Sequence, residues 1–373
     1  MKIRLMIPDV NASPTERPRS CPYCEGAVFH RHATLKKPIK DHRATEVEVH
    51  RYKCLSCRRT FRHYPAGVGG KDQSQRTVVL AALMYAMGLS CSAASHILGA
   101  LGAGVCKMTV WRDAQEAGEA LRRKRPAGGV RAMGADETVF RVKGEEVVVG
   151  FAVDSRSGGT LGFEVLFGGS GRAFWRWLSA YAEELGVEAL VSDDNDSYSV
   201  AAAELGLSHQ LCVAHVRKYV ANRSKSILEQ ARKERGADNS GKLAQIEADL
   251  KRLRELLGGL EEEGGREVGR LHRRCLFARP PDRGGGASSG HRMRMLTLEL
   301  WNDWKKMRLH LSRPELLLDG TNNASERSIA KSKVRYKTMR GHKSTEGMEN
   351  GVALTQWLYN GEDGHDLARE MVA

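Results

Sequence analysis

The sequence has no apolar run long enough to cross a membrane. Residues 77–106 contain no Asp, Glu, Lys or Arg, but the unbroken apolar part runs only from Val78 to Leu89. Ser90, Ser92, Ser95 and His96 follow it. A spanning helix needs about 20 apolar residues, so this stretch predicts packed helices of a soluble protein. A secretory leader is also missing: MKIRLMIPDV has neither a long apolar core nor a small-residue cleavage site. Cysteine is too sparse for a secreted disulfide framework. Of eight cysteines, four stand in two C-x-x-C pairs and four are scattered (Cys91, Cys106, Cys212, Cys275). That usage fits a reducing cytoplasm and one metal site.

Negative charge is scarce in the first third of the chain. Residues 1–130 hold 22 Lys and Arg against 10 Asp and Glu, and residues 131–373 hold 37 against 35. Nearly all of the +14 net charge therefore lies in the N-terminal arm. A basic arm on a near-neutral body suits a polyanion.

Within that arm, Cys21-Pro-Tyr-Cys24 and Cys54-Leu-Ser-Cys57 are separated by 29 residues. Four thiolates brought together by two tight turns suit one tetrahedral Zn²⁺. The strand-like alternation of TEVEVHRYKC makes the shape a zinc ribbon. His30, His32 and His42 are alternative ligands. Arg58 and Arg59 lead a basic cluster near the second pair, interleaved with Tyr52, Phe61 and Tyr64. Such a face is suited to phosphate contacts.

After the GVGG break at 67–70 the pattern becomes three short helices. The third, VCKMTVWRDAQEAGEALRRK, is expected to place Val105, Met108 and Trp111 on one face and Lys107, Arg112 and Gln115 elsewhere. Helix, glycine turn and polar-faced helix is the helix-turn-helix pattern. Lys107 and Arg112 are its candidate DNA contacts. PAGG (126–129) reads as a linker.

From Val130 the texture changes to three strands, helix, strand, helix, strand, an α/β sheet with helices on its faces. VRAMGADETVF predicts a strand ending at Asp136, and ALVS a strand followed by Asp193. Acids at strand ends in such sheets lie where sites form. Two carboxylates held close repel unless a cation bridges them, and Mg²⁺ prefers such oxygen ligands. A third acid would complete a two-metal phosphoryl-transfer site. Glu137 should point to the opposite face of its strand, and Asp154, Asp194 and Asp196 read as turn or capping acids. Glu326 heads TNNASERSIAKSKVRYKTMRGHKS, with capping-box spacing from Asn323. Seven Lys or Arg follow it before the next acid, Glu346.

G-A-Asp136-E-T, S-Asp193-D-N-D-S-Tyr198 and T-N-N-A-S-Glu326-R, followed by K-x-R-Y-K-T-M-R-G-x-K-S, resemble the DDE transposases of bacterial insertion sequences. The resemblance covers nearly the whole chain. It implies a ribonuclease-H-like mixed sheet, with Asp136, Asp193 and Glu326 as catalytic acids holding two Mg²⁺ or Mn²⁺. Lys333, Lys337 and Arg340 would then hold the phosphate backbone. The implied activity is binding of element ends, DNA cleavage and strand transfer by a homodimer or larger assembly at the nucleoid. The alternatives are a DNA-binding regulator derived from a transposase, or a nuclease that hydrolyses without joining. The expected domains are a zinc ribbon (1–68), a helix-turn-helix domain (71–125) and a catalytic domain (130–373) with a helical insertion at about 216–315. Cys212-Val-Ala-His215 matches a Cys-x-x-His that such transposases often carry after the second Asp. Trp301 and Trp304, at helical spacing, are expected in the core.

Overall fold

The computed structural model describes residues 6–124, 129–166, 171–234, 239–281, 285–339, 341–360 and 367–372. It divides into two compact units. One comprises Met1–Arg125, Val139–Val147 and Ile329–Ala373, and the other Pro126–Thr138 and Val148–Ser328. Arg340 and most of the expected 126–129 linker lie outside the described residues. No helix among them is long and apolar enough to cross a membrane.

The first unit opens with an antiparallel sheet of Phe29–Pro38 (β1), Glu46–Cys54 (β2) and Thr60–His63 (β3), in that order. Along β2, Val47 and Val49 are buried in one cluster with Ile39 and Val68, while Tyr52 and Cys54, of the opposite parity, are buried in another with Phe29 and Phe61. Tyr52 stacks on Phe61 at 5.7 Å, and Phe29 meets both rings edge-on. Three helices follow, Gln75–Ala86 (α1), Cys91–Ala100 (α2) and Lys107–Arg122 (α3). The hydroxyls of Ser74 and Ser90 cap α1 and α2. Buried Asp41 joins the small sheet to α1. It accepts hydrogen bonds from the Ser74 hydroxyl (2.6 Å) and from the N–H of Arg43 and Ala44, with the Arg76 guanidinium 3.7 Å away.

In α3 the inward face is Val110, Ala114, Ala117 and Leu121, continuing Val105. Met108 and Trp111, expected inside with Val105, are instead exposed. The helix starts at Lys107, so Val105 lies before it and does not set its phase. The C-terminal Thr345–Asn360 (α12) packs against α3, closely enough that a Cβ on Gly118 would sit 2.2 Å from the Asn350 carbonyl oxygen. Leu367–Val372 (α13) ends the chain's helices.

The second sheet is formed by Ala132–Val142 (β4), Glu145–Asp154 (β5), Thr160–Val165 (β6), Ala189–Ser192 (β7) and Ser208–Leu211 (β8). Its order is β6-β5-β4-β7-β8, with β5 and β6 antiparallel and β7 parallel to both β4 and β8. This is the ribonuclease-H-like mixed sheet. Lys143 and Gly144, both at positive φ, turn β4 into β5, the requirement of a tight two-residue hairpin. Gly171–Leu185 (α4) and Asp196–Glu204 (α5) cover one face, burying Met133, Ala135, Leu178, Leu190, Tyr198 and Ala201.

Two sequence expectations shift here. Asp136 lies within β4 rather than at its end. β7 pairs only with Ala132–Gly134, so β4 runs on past its neighbour. The last strand of the sheet, expected to cover SHQLCVAHV (208–216), stops at Leu211, and Cys212 begins a helix, its carbonyl accepting from Val216 N–H (3.1 Å).

The helical segment comprises Val213–Lys233 (α6), Asn239–Gly259 (α7), Gly264–Arg274 (α8), Ser289–Met307 (α9) and Leu309–Ser312 (α10). It has its own core of Ile227, Leu250, Leu253, Leu257, Val268, Met293 and Leu300. Trp304 joins that core, donating to the Glu261 carbonyl oxygen (3.1 Å), but Trp301 is about half exposed at 47%. Asn323–Lys337 (α11) then begins in the second unit.

Candidate catalytic and metal sites

Alternation along β4 sends Gly134 and Asp136 to one face and Met133, Ala135 and Glu137 to the other. The Gly134 face is pressed against the start of α11. A Cβ there would meet the Ser325 Oγ at 2.6 Å and the Asn322 Oδ1 at 3.2 Å. Asp136 follows on the same face. Burial pushes its carboxyl up to about 7, against the opposing Glu137 N–H that it accepts at 2.9 Å. The charges of Asp193, Glu137 and Glu326 raise it further. The three acids named from the sequence thus reach one electrostatic neighbourhood from separate elements.

Asp193 follows the C-terminal end of β7. Burial and the Glu137 charge raise its carboxyl, and nearby His215 opposes them. Its Oδ1 is buried without a hydrogen-bond partner among the described residues. Glu326 stands in the first turn of α11, exposed, with an oxygen 3.6 Å from His215 Nε2. A buried carboxylate oxygen with no donor, among acids that repel one another, fits a hard divalent cation. The acids are not drawn tight: among the described residues only a cysteine group brings three or more ligand atoms within 4.8 Å of one another.

Glu137 lies on the other face, as the alternation requires. There it accepts from the buried Tyr198 hydroxyl and from Asn195 Nδ2 (3.3 Å). Asn195 also caps α5, so this cluster braces the loop that carries Asp193. Asp154 closes a turn, accepting from Arg156 N–H and the Ser157 hydroxyl.

Cys21, Cys24, Cys54 and Cys57 form that cysteine group. Cys21 and Cys57 sulfurs are 3.8 Å apart, and Cys24 and Cys54 sulfurs 3.6 Å. Tetrahedral Zn–S bonds of about 2.3 Å place sulfurs about 3.8 Å apart, whereas a disulfide needs about 2.05 Å. The N–H of Cys57 and then of Ser56 hold the Cys54 thiol down at about 6, against its burial. The Gly26 N–H lowers Cys24, but hydrogen bonding among the sulfurs pushes it up to about 12. His30 and His32 contact each other edge-on and are not in the group.

Arg58 and Arg59 are exposed, with the Arg59 guanidinium over the Tyr23 ring at 5.3 Å. Lys107 and Arg112 are exposed in the first two turns of α3. Lys333 lies 6.0 Å from the Phe140 ring centroid, and Lys337 is exposed. The capping residue of α11 is displaced by one from the expectation. Asn322, not Asn323, accepts from the Ser325 hydroxyl (2.7 Å) and, through its carbonyl, from Glu326 N–H (3.2 Å). The capping-box spacing to Glu326 pointed to Asn323 and so passed over Asn322.

A mixed sheet in this order, with acids on β4, after β7 and on α11, defines the ribonuclease-H-like class. Within it, the chain belongs to the transposase IS66 family, whose model matches residues 74–350. Among solved structures it is similar to the catalytic core domain of BIV integrase, at 15% identity over 46% of this chain and 95% of that one, with a TM-score of 0.20. It is also similar to the Drosophila P element transposase strand transfer complex, at 11% identity over 76% of this chain and 78% of that one, with a TM-score of 0.29. No curated protein matches the chain.

Proposed function

We propose that this transposase binds the ends of its own element through residues 1–125 and cleaves and joins DNA strands at Asp136, Asp193 and Glu326. The observation that carries the reading is geometric: half-buried Asp136 on β4, half-buried Asp193 after β7 and Glu326 on α11 come from distant parts of the sequence, and the Asp193 Oδ1 is buried with no hydrogen-bond partner among the described residues. Carboxylates that repel one another in a partly desolvated place are stabilised by a cation or proton they share. Asp136, Asp193 and Glu326 would hold two Mg²⁺ or Mn²⁺, which supply activation of the attacking water or 3′-hydroxyl and charge neutralisation at the leaving oxygen. The chain's own part is to fix those acids and the phosphate in register, and no covalent enzyme intermediate is needed.

In this reading residues 1–68 are a ribbon closed by one structural Zn²⁺ and 71–125 a helix-turn-helix domain. Residues 130–373 are the catalytic domain, with its insertion at about 216–315. Arg58, Arg59, Lys107, Arg112, Lys333, Lys337 and Arg340 contact DNA phosphates. Two ends must be paired, so the working form is a homodimer or larger, acting in the cytoplasm at the nucleoid.

The test is purified protein with labelled terminal-repeat DNA and Mg²⁺. Asp136→Asn, Asp193→Asn and Glu326→Gln are each expected to lower cleavage by about three orders of magnitude, the loss of several kcal/mol of charge stabilisation. Cleavage surviving all three would sink the mechanism. Cleavage without joining into a target plasmid would make the protein a hydrolytic nuclease.

A further inference from the structure

We infer that Asn322 is a positioning residue for this site, a single buried residue tying together the three elements that carry Asp136, Asp193 and Glu326. The inference rests on reading those acids as the reacting centre. Asn322 Nδ2 donates to the carbonyl oxygen of Ala135, the residue before Asp136, at 2.9 Å. Its Oδ1 accepts from Ser325 Oγ at 2.7 Å, and its carbonyl oxygen accepts from Glu326 N–H at 3.2 Å. Its own N–H donates to the sulfur of Cys212 at 3.2 Å. Cys212 N–H in turn donates to the carbonyl oxygen of Ser192, the residue before Asp193, at 2.8 Å. Each bond lands on or next to a residue adjoining one of the acids.

A plain helix cap would not be built this way. It needs one side-chain oxygen and normally stands in water. Here Asn322 is 1% exposed, and Ser325 and Cys212 are wholly buried. The amide uses both ends of its side chain and both backbone groups. Gly134 keeps the space open, since a Cβ there would meet Asn322 Oδ1 and Ser325 Oγ. The arrangement also gives Cys212-Val-Ala-His215 a task. The sulfur receives the Asn322 N–H, and one turn later His215 stands beside Glu326. Groups that orient metal ligands from behind are typically worth about 10–100-fold in metal affinity or activity.

The test compares full-length wild type, Asn322→Ala, Asn322→Asp, Cys212→Ser and Asp136→Asn. Mn²⁺ binding is read by electron paramagnetic resonance, terminal-repeat DNA affinity by gel shift, single-turnover cleavage in Mg²⁺, and melting by circular dichroism. Asn322→Asp keeps the shape and the Ser325 acceptor but turns a second oxygen on the Ala135 carbonyl. Both Asn322 variants are expected to lose about 10–100-fold in Mn²⁺ affinity and cleavage rate with DNA affinity unchanged. Cys212→Ser, which replaces the sulfur receiving the Asn322 N–H by an oxygen on a shorter bond, is expected to lower Mn²⁺ affinity and rate in the same direction by a smaller factor. Folded Asn322 variants with wild-type Mn²⁺ affinity and rate overturn the proposal. If Asn322→Ala melts below the assay temperature, Asn322→Asp decides. An Asp variant that melts as low makes Asn322 a residue of stability alone and also overturns it. The two readings fail separately: an Asp136→Asn protein that binds Mn²⁺ and cleaves as wild type sinks the carboxylate site itself.

Discussion

Burial acts in opposite directions on the acids and histidines of this chain, and pH separates them. Asp136 is raised to about 7 from an ordinary 3.8. The native state therefore holds its proton longer than the unfolded chain, and without a divalent cation stability falls as pH rises from about 4 to 7. Asp136→Asn removes that loss. Its melting temperature without metal should exceed wild type above pH 7, by about 2–4 °C for each kcal/mol relieved, and match it near pH 4. Buried His209 and His342 are lowered by burial to about 4 from 6.5. Their folded forms are neutral, so their contribution is complete above about pH 6.5 and is lost as pH falls toward 4. His209 bonds Ser192 Oγ at 2.9 Å. His209→Gln, unable to charge, should flatten the fall in melting temperature between pH 6.5 and 4.

At the level of elements, two junctions govern the molecule, and the sequence disclosed them unequally. The cysteine group closes the small sheet, and its two C-x-x-C pairs are legible because ligand spacing is local. One Zn²⁺ per chain is expected by metal analysis. Cys54→Ser should lose it, along with the near-ultraviolet signal of the Phe29–Tyr52–Phe61 cluster. The β4–α11 junction was not legible in the same way, because Gly134 and Ser325 are far apart in sequence and nothing in the two motifs that hold them says that they meet. Gly134→Val puts branched carbon where Ser325 Oγ lies 2.6 Å from even a Cβ. It should cost about 1–3 kcal/mol, read by urea denaturation. Asp136 was expected at the end of a strand, and the structure places it inside one. The apolar run before it was recognised, but β4 continues beyond the acid, because β7 is four residues long and stops pairing first.

Over the whole molecule the decisive quantity is charge. Nearly all of the net +14 sits in residues 1–130. Binding to terminal-repeat DNA should weaken steeply with salt, and Lys107→Ala or Arg112→Ala should each reduce the slope of log K against log salt by about 1. Measured slopes equal to wild type would remove α3 from the DNA interface. Exposure of Met108 and Trp111 beside these two residues was hidden from the sequence, since helical phase depends on where the helix begins. Trp301 and Trp304 are three apart on α9 yet one is exposed and one buried, because a three-residue step leaves them about 60° apart around the helix and only Trp304 falls within the buried stripe.

What the sequence by itself determined was local or periodic. It set the cysteine ligand spacing, the strand alternation, the apolar stripes of the helical segment, and a charge distribution that needs no fold to exist. The tertiary structure alone decided which distant groups share an environment. Asp136, Asp193 and Glu326 interact only because a parallel pairing sets β7 beside β4 and α11 returns across the Gly134 face. Asn322 acquires its four hydrogen bonds only there, where burial leaves its amide no water to turn to.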